Sequence, residues 1–216
     1  MNQFHHDSAL ERTFKALKKD LLQEGGAQIS ATRNYNFAIV PYEPDEEFAL
    51  RGHVSRLSAE LREVGWTTAT IALHTLLLER LRGLGDEFLE ALIAREKRLS
   101  KRDSARALSH LTEKIVQEIE GPHGLAADVV HEVKKLLENN PEEKDRMVVF
   151  IARAGALYPF FRTSALLKHV ADHTQNIPVI LLYPGTVVGD TTRGDAGLSF
   201  MGKLPTDRDY RPRIYR

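Results

Sequence analysis

Cysteine is absent from the chain. That absence excludes a disulfide framework, a thiolate metal site and redox chemistry on thiols, and leaves an intracellular setting as the expectation. An excess of charge of either sign is missing too: 30 Lys and Arg residues match 30 Asp and Glu residues, so the formal net charge is zero. The molecule as a whole therefore exerts no long-range pull on nucleic acid or an anionic membrane, and any such contact has to be local. Long apolar runs are lacking as well. Nothing approaches the ~20 apolar residues of a membrane span, and Met1–Leu10 carries two His and an Asp where a signal peptide has a basic start and an apolar run. A cytoplasmic protein with no membrane partner is expected, and 216 residues are enough to bury a substantial core.

What is present is an alternation of helical and strand patterns. Ser8 with Glu11 three residues on has the form of a capping box, and Leu10, Phe14, Leu17 and Leu21 mark one face of the helix that follows, until Gly25 and Gly26 end it. Residues 35–40, a mostly apolar run before Pro41, predict a buried strand. Leu50, Val54, Leu57, Leu61 and Val64 stripe the next helix, which Gly65 stops, and the β-branched run Thr67–Leu73 predicts a second strand before the leucines at 76, 77, 78 and 81 resume a helical rhythm. A strand, a helix of this length and a strand predict a parallel pair. Residues 86–140 carry three amphipathic stripes in succession and predict an all-helical insertion. Met147–Ala152, a helix around Leu166, Leu167 and Val170, and Pro178–Tyr183 repeat the strand–helix–strand order, followed by a Gly-rich loop over 185–197, a short strand at Leu198–Met201 and an Arg-rich tail over about 203–216.

Open parallel sheets bind ligands outside the carboxyl ends of their strands, so the turns there are where chemistry is sought. The turn after the first strand, Pro41–Glu47, has no Gly and four carboxylates, the opposite of a phosphate cradle. Gly197–Lys203 matches the letters of a P-loop, but Leu204 stands where a magnesium-binding hydroxyl belongs and Pro205 opposes the helix that should start. His169 and His173 sit one helical turn apart with no third ligand in view, so the pair reads as a solvated helix end rather than a zinc site. No G-x-S-x-G turn exists, and Ser164, at a helix start, reads as a cap. Two rival readings stay open: magnesium held by the acidic turn Glu43–Glu46 in a nuclease or nucleotide hydrolase, and a DNA-binding module built on the basic run Arg95, Lys97, Arg98, Lys101, Arg102 and Arg106. Glu90, Glu96 and Asp103 interrupt that run and no aromatic platform accompanies it, so direct nucleic-acid binding is not the expectation.

The turns after the third and fourth predicted strands differ in kind. Arg153–Arg162 and Tyr183–Thr186 are rich in Arg and aromatic side chains, the residue types most often found as anchors in protein interfaces. The ordered set Phe150–Arg162, Leu166–Leu167, Pro178–Gly185, Leu198–Leu204 and Tyr210–Arg211, together with Ile39–Pro44, resembles the BrxB family of BREX bacteriophage-exclusion systems. The tail departs from the family pattern at Pro212, where a small apolar residue is expected. The resemblance implies a defence role beside a large BrxC-type ATPase, a PglZ-type phosphatase-fold protein and a DNA methyltransferase, as an assembly or adaptor subunit. It supplies no catalytic, cofactor or metal-binding residues.

The expectation is therefore a three-layer, Rossmann-like α/β fold in one domain over residues 1–216, with a mostly parallel sheet of about five strands and a helical insertion near 86–140. The protein is expected to be a non-enzyme without cofactor, whose partner surface, or the loops supporting it, draws on Arg153, Tyr158, Arg162, Tyr183 and Arg211.

Overall fold

The computed structural model describes residues 8–30, 36–161, 163–170, 173–174, 176–189, 197–201 and 212–216. Seven helices and six strands alternate as α1 (Ala9–Leu21), β1 (Phe37–Tyr42), α2 (Glu47–Glu63), β2 (Thr67–Ala72), α3 (Leu73–Gly83), α4 (Asp86–Ser100), α5 (Ser104–Ile119), α6 (Leu125–Asn139), β3 (Met147–Ala152), α7 (Thr163–Val170), β4 (Val179–Val188), β5 (Gly197–Phe200) and β6 (Arg213–Ile214) among the described residues. The strands form one six-stranded sheet in the order β2-β3-β4-β1-β6, with β5 attached to β4. All pairs are parallel except β4 with β5.

Side-chain alternation in the sheet explains the three layers. Phe37 and Ile39 of β1, Val149 and Ile151 of β3 and Val179 and Leu181 of β4 bury against α3, α5, α6 and α7. Their neighbours Ala38, Val40, Val148, Phe150, Ile180 and Leu182 point the other way, against α1 and α2. A sheet covered on both faces needs continuous apolar runs, which is why these strands lack polar alternation. β2 is different: of its six residues only Ile71 is buried, and it sits at the edge. The expected pairing of the first two strands is accordingly corrected, because β1 lies between β4 and β6 while β2 bonds β3. The 17-residue α2 spans about 25 Å, enough to carry the chain past two strands spaced about 4.8 Å apart.

Two further expectations change. β1 begins at Phe37 and runs through Pro41 to Tyr42, and β4 continues through Pro184 and Gly185 to Val188, where a loop was expected. The extension is possible because Gly185 has no side chain: a Cβ there would fall 2.0 Å from the Ser199 carbonyl oxygen of the antiparallel partner β5. At α1 only half of the capping box forms. The Ser8 hydroxyl accepts the Glu11 N–H at 3.1 Å, while the Glu11 carboxylate lies 3.3 Å from Lys15.

The three helices read as an insertion behave unequally. α6 buries Leu125, Ala126, Val129, Val133 and Leu137 in the same core as α3 and α7, whereas α4 has no buried residue and packs chiefly on α5. One side chain ties this layer together. Arg80 of α3 forks onto Asp128 of α6, Nε to Oδ2 at 2.6 Å and Nη2 to Oδ1 at 2.8 Å, and donates to the carbonyls of His123, Gly124 and Glu118. It thereby reaches carbonyls at both ends of the α5–α6 connection, the one from Glu118 belonging to the last turn of α5, where carbonyls lack a helical partner. Arg80→Ala is expected to cost ~2–3 kcal/mol in urea unfolding, with Arg80→Lys recovering only part, since an ammonium cannot reproduce the fork.

Candidate functional site

The chain leaves β1 through α2 on one face of the sheet and leaves β3 through α7 on the other, with β4 between them. Loops departing to opposite faces open a crevice at the carboxyl ends, the usual ligand position in such sheets. Here that position is spanned by an ion pair. Arg153, directly after β3, places Nη1 3.1 Å from Glu47 Oε1 at the start of α2, and the Tyr42 hydroxyl at the end of β1 donates to the other Glu47 oxygen. Arg153 holds φ 66°, ψ 27°, a left-handed conformation rare for a side-chain-bearing residue. The backbone turns there so that Ala154 and Leu157 bury beneath α3. The acidic turn is likewise occupied by its own contacts, since Glu46 accepts the Glu43 N–H at 3.3 Å in the 3₁₀ turn Pro44–Glu46.

Of the residues expected at a partner surface, the structure describes three. Arg153 lines the crevice with its side chain 36% exposed. Tyr158, half-buried, stands 6.4 Å from the ring of Phe200. Tyr183 is 1% exposed, packs edge-on against Phe200 at 5.5 Å and sets its hydroxyl 3.5 Å from the Leu198 carbonyl. It props β5 from below and presents no surface to a partner. Arg162 and Arg211 lie outside the described residues, as do Gly202 and Lys203 of the P-loop-like string, whose first four residues form β5. His173 Nδ1 lies 2.8 Å from the His169 carbonyl oxygen, and both rings border a shallow hollow with His131 and Lys134. No group of three or more His, Asp or Glu among the described residues could hold a metal ion. The basic run is exposed around the turn joining α4 to α5, where Asp103 caps α5 by accepting the Arg106 N–H.

Beside Arg153 the crevice opens into a cleft of about 540 Å³ between α2 and the β2–β3 edge, lined among others by Arg51, Ser55, Ser58, Arg62, Thr70, His74 and Arg153. Searching only the turns after strands missed it. The signal lay in α2, where Arg51, Ser55, Ser58 and Arg62 recur at i, i+4, i+7 and i+11, one position behind the apolar stripe Leu50, Val54, Leu57 and Leu61.

Burial and the hydrogen bond to Glu47 push the Tyr42 phenol well above its usual range, with Arg153 opposing; burial and the bond to Asp20 do the same for Tyr215, directly after the C-terminal strand. The unfolded chain releases these protons near pH 10, before the folded one does. Stability from this source is therefore complete below about pH 10 and falls as pH rises beyond it. Urea midpoints measured from about pH 8 to about pH 11 should show that decline, and Tyr42→Phe should flatten it; an unchanged slope would exclude Tyr42 as a contributor.

No curated protein and no solved structure matches the chain. A family model described as BREX protein BrxB matches residues 69–214, from β2 through β6. That match covers well over half of the sequence and includes Arg153, Tyr158, the β4–β5 hairpin and the C-terminal strand, so the chain belongs to the BrxB family of BREX proteins.

Proposed function

We propose that this BREX phage-defence component is a non-catalytic assembly subunit that joins other proteins of the system, the PglZ-type protein and the BrxC-type ATPase first among them and the methyltransferase third. The observation that carries the reading is the Glu47–Arg153–Tyr42 network. It occupies the position where a sheet of this winding offers backbone amides and a lysine to a phosphate. The surface around it is built from guanidinium groups, an exposed Phe48 and half-buried aromatics, a composition that suits polypeptide recognition.

The magnesium-dependent alternative is weaker because Glu46, one of the carboxylates it would use, already accepts the Glu43 N–H, and the adjoining Glu47 is engaged by Tyr42 and Arg153. The DNA-binding alternative retains one specific support, the exposed cations around the α4–α5 turn. It predicts duplex affinity that drops steeply between about 50 and 200 mM salt. Gel shifts showing no such affinity for the isolated chain are the expected result.

Affinity purification from cells carrying the full system tests the main reading. Arg153→Ala should lose at least one BREX partner while the variant remains folded by circular dichroism, and the exchange Glu47→Arg with Arg153→Glu should restore part of the recovery. Undiminished recovery with Arg153→Ala removes that residue from the partner surface. Turnover of ATP or nucleic acid by the isolated wild-type chain refutes the non-catalytic assignment.

A further inference from the structure

The cleft between α2 and β2 collects three guanidinium groups and an imidazole, and no carboxylate lines it. In a molecule with as many acids as bases, that segregation is local and specific. Arg51 and Arg62 are exposed, and their Cα atoms, eleven residues apart on α2, are about 16 Å apart along the helix. Arg153 marks the end of the cleft near the sheet's carboxyl edge, and its partner Glu47 neutralises one guanidinium, leaving Arg51 and Arg62 without an acidic partner among the described residues. Ser55 and Ser58 stand between the two cations along α2, and Thr70 adds a hydroxyl from β2.

The opposite wall is a strand with an open side. β2 bonds β3 and no other strand among the described residues, and Thr70, on the α2 side of its register, is exposed. A polypeptide running beside it meets a row of N–H and C=O groups that another backbone can answer in kind, whereas a nucleic acid backbone has no N–H donors for the carbonyls. About 16 Å corresponds to five residues of extended chain, whose alternate side chains would face α2. Beside Arg51, Phe48 is 81% exposed, with the Arg51 guanidinium 5.6 Å from its ring centroid. An exposed aromatic beside an arginine is a frequent anchor pair in protein interfaces.

We propose that the Arg51–Ser55–Ser58–Arg62 face of α2, together with Arg153 and the outer edge of β2, docks an extended acidic segment of a partner protein. This rests on the assembly reading and gives the partner's chemistry: carboxylates at alternate positions of a short strand, gripped as guanidinium–carboxylate pairs. The face lies mostly ahead of the residues matched by the family model, which begins at Ala69.

The test uses the full chain and a fluorescein-labelled decapeptide of alternating Glu and Thr, followed by anisotropy. Saturable binding is expected, weakened at least about tenfold by Arg51→Glu with Arg62→Glu and changed less than about twofold by Lys101→Glu with Arg102→Glu at the α4–α5 turn. Arg51→Gln with Arg62→Gln, which adds no repulsion, should show the same order of effect, and both pairs should melt as the wild type does. The proposal is overturned by absence of saturable binding, by equal losses in the α4–α5 variant, or by duplex DNA or inorganic phosphate displacing the peptide at lower concentration through the same arginines. Retention of BREX partners in cells by the Arg51 and Arg62 variants would overturn the docking site alone, while the assembly reading would stand on Arg153.

Discussion

The structure depends on the double burial of β4. Its first half lies between β1 and β3, covered on one face by α1 and α2 and on the other by the α3–α7 layer, so Val179 to Leu182 meet no solvent that could satisfy a polar group. Such a strand must be apolar at every position, and its neighbours must present matching surfaces on both faces. The register supplies them, with Ile39, Leu181 and Ile151 in line on one face and Ala38, Ile180 and Phe150 in line on the other. Everything polar is thereby driven to the strand ends and to the edge strand β2.

That expulsion accounts for the character of the carboxyl edge. Tyr42 is at the last residue of β1, where its ring can remain in the core while its hydroxyl reaches Glu47. Glu47 in turn meets Arg153, one residue past the end of β3, so three separate elements converge on one carboxylate. A carboxylate between a guanidinium and a phenol is well solvated by protein. The same contacts take up hydrogen-bonding capacity that a ligand phosphate or metal ion would otherwise compete for.

Periodicity revealed which face each residue takes, and little about which strand stands beside which. The stripes of α1, α2 and α6 and the apolar runs of β3 and β4 were legible because burial imposes them residue by residue. The order β2-β3-β4-β1 was not, since a strand–helix–strand pattern is the same whether the crossover spans one neighbour or three. The weak apolar content of Thr67–Thr70 was the available clue that β2 is an edge. The burial of Tyr183 was illegible for a different reason: an aromatic before Pro-Gly resembles a loop anchor, but Gly185 let the strand continue and carried the ring into the core. Arg153 was correctly located at a strand end, while its left-handed backbone and its acidic partner 106 positions away have no local signature.

The cleft escaped the sequence reading because its cations belong to a helix flank and not to a turn. In α2 the apolar stripe faces the sheet, and the polar positions one step behind it fall beside β2, the edge strand against which α2 packs. Arginine suits that boundary better than lysine, because its stem can lie along the apolar wall while the planar head stays available for paired hydrogen bonds. Arg62 already uses this geometry weakly, with Nη2 3.5 Å from the Thr68 carbonyl. A row of such heads beside an open strand is thus a consequence of how the sheet ends. The edge that the core leaves unfilled is the part of the molecule best equipped to be completed by another chain.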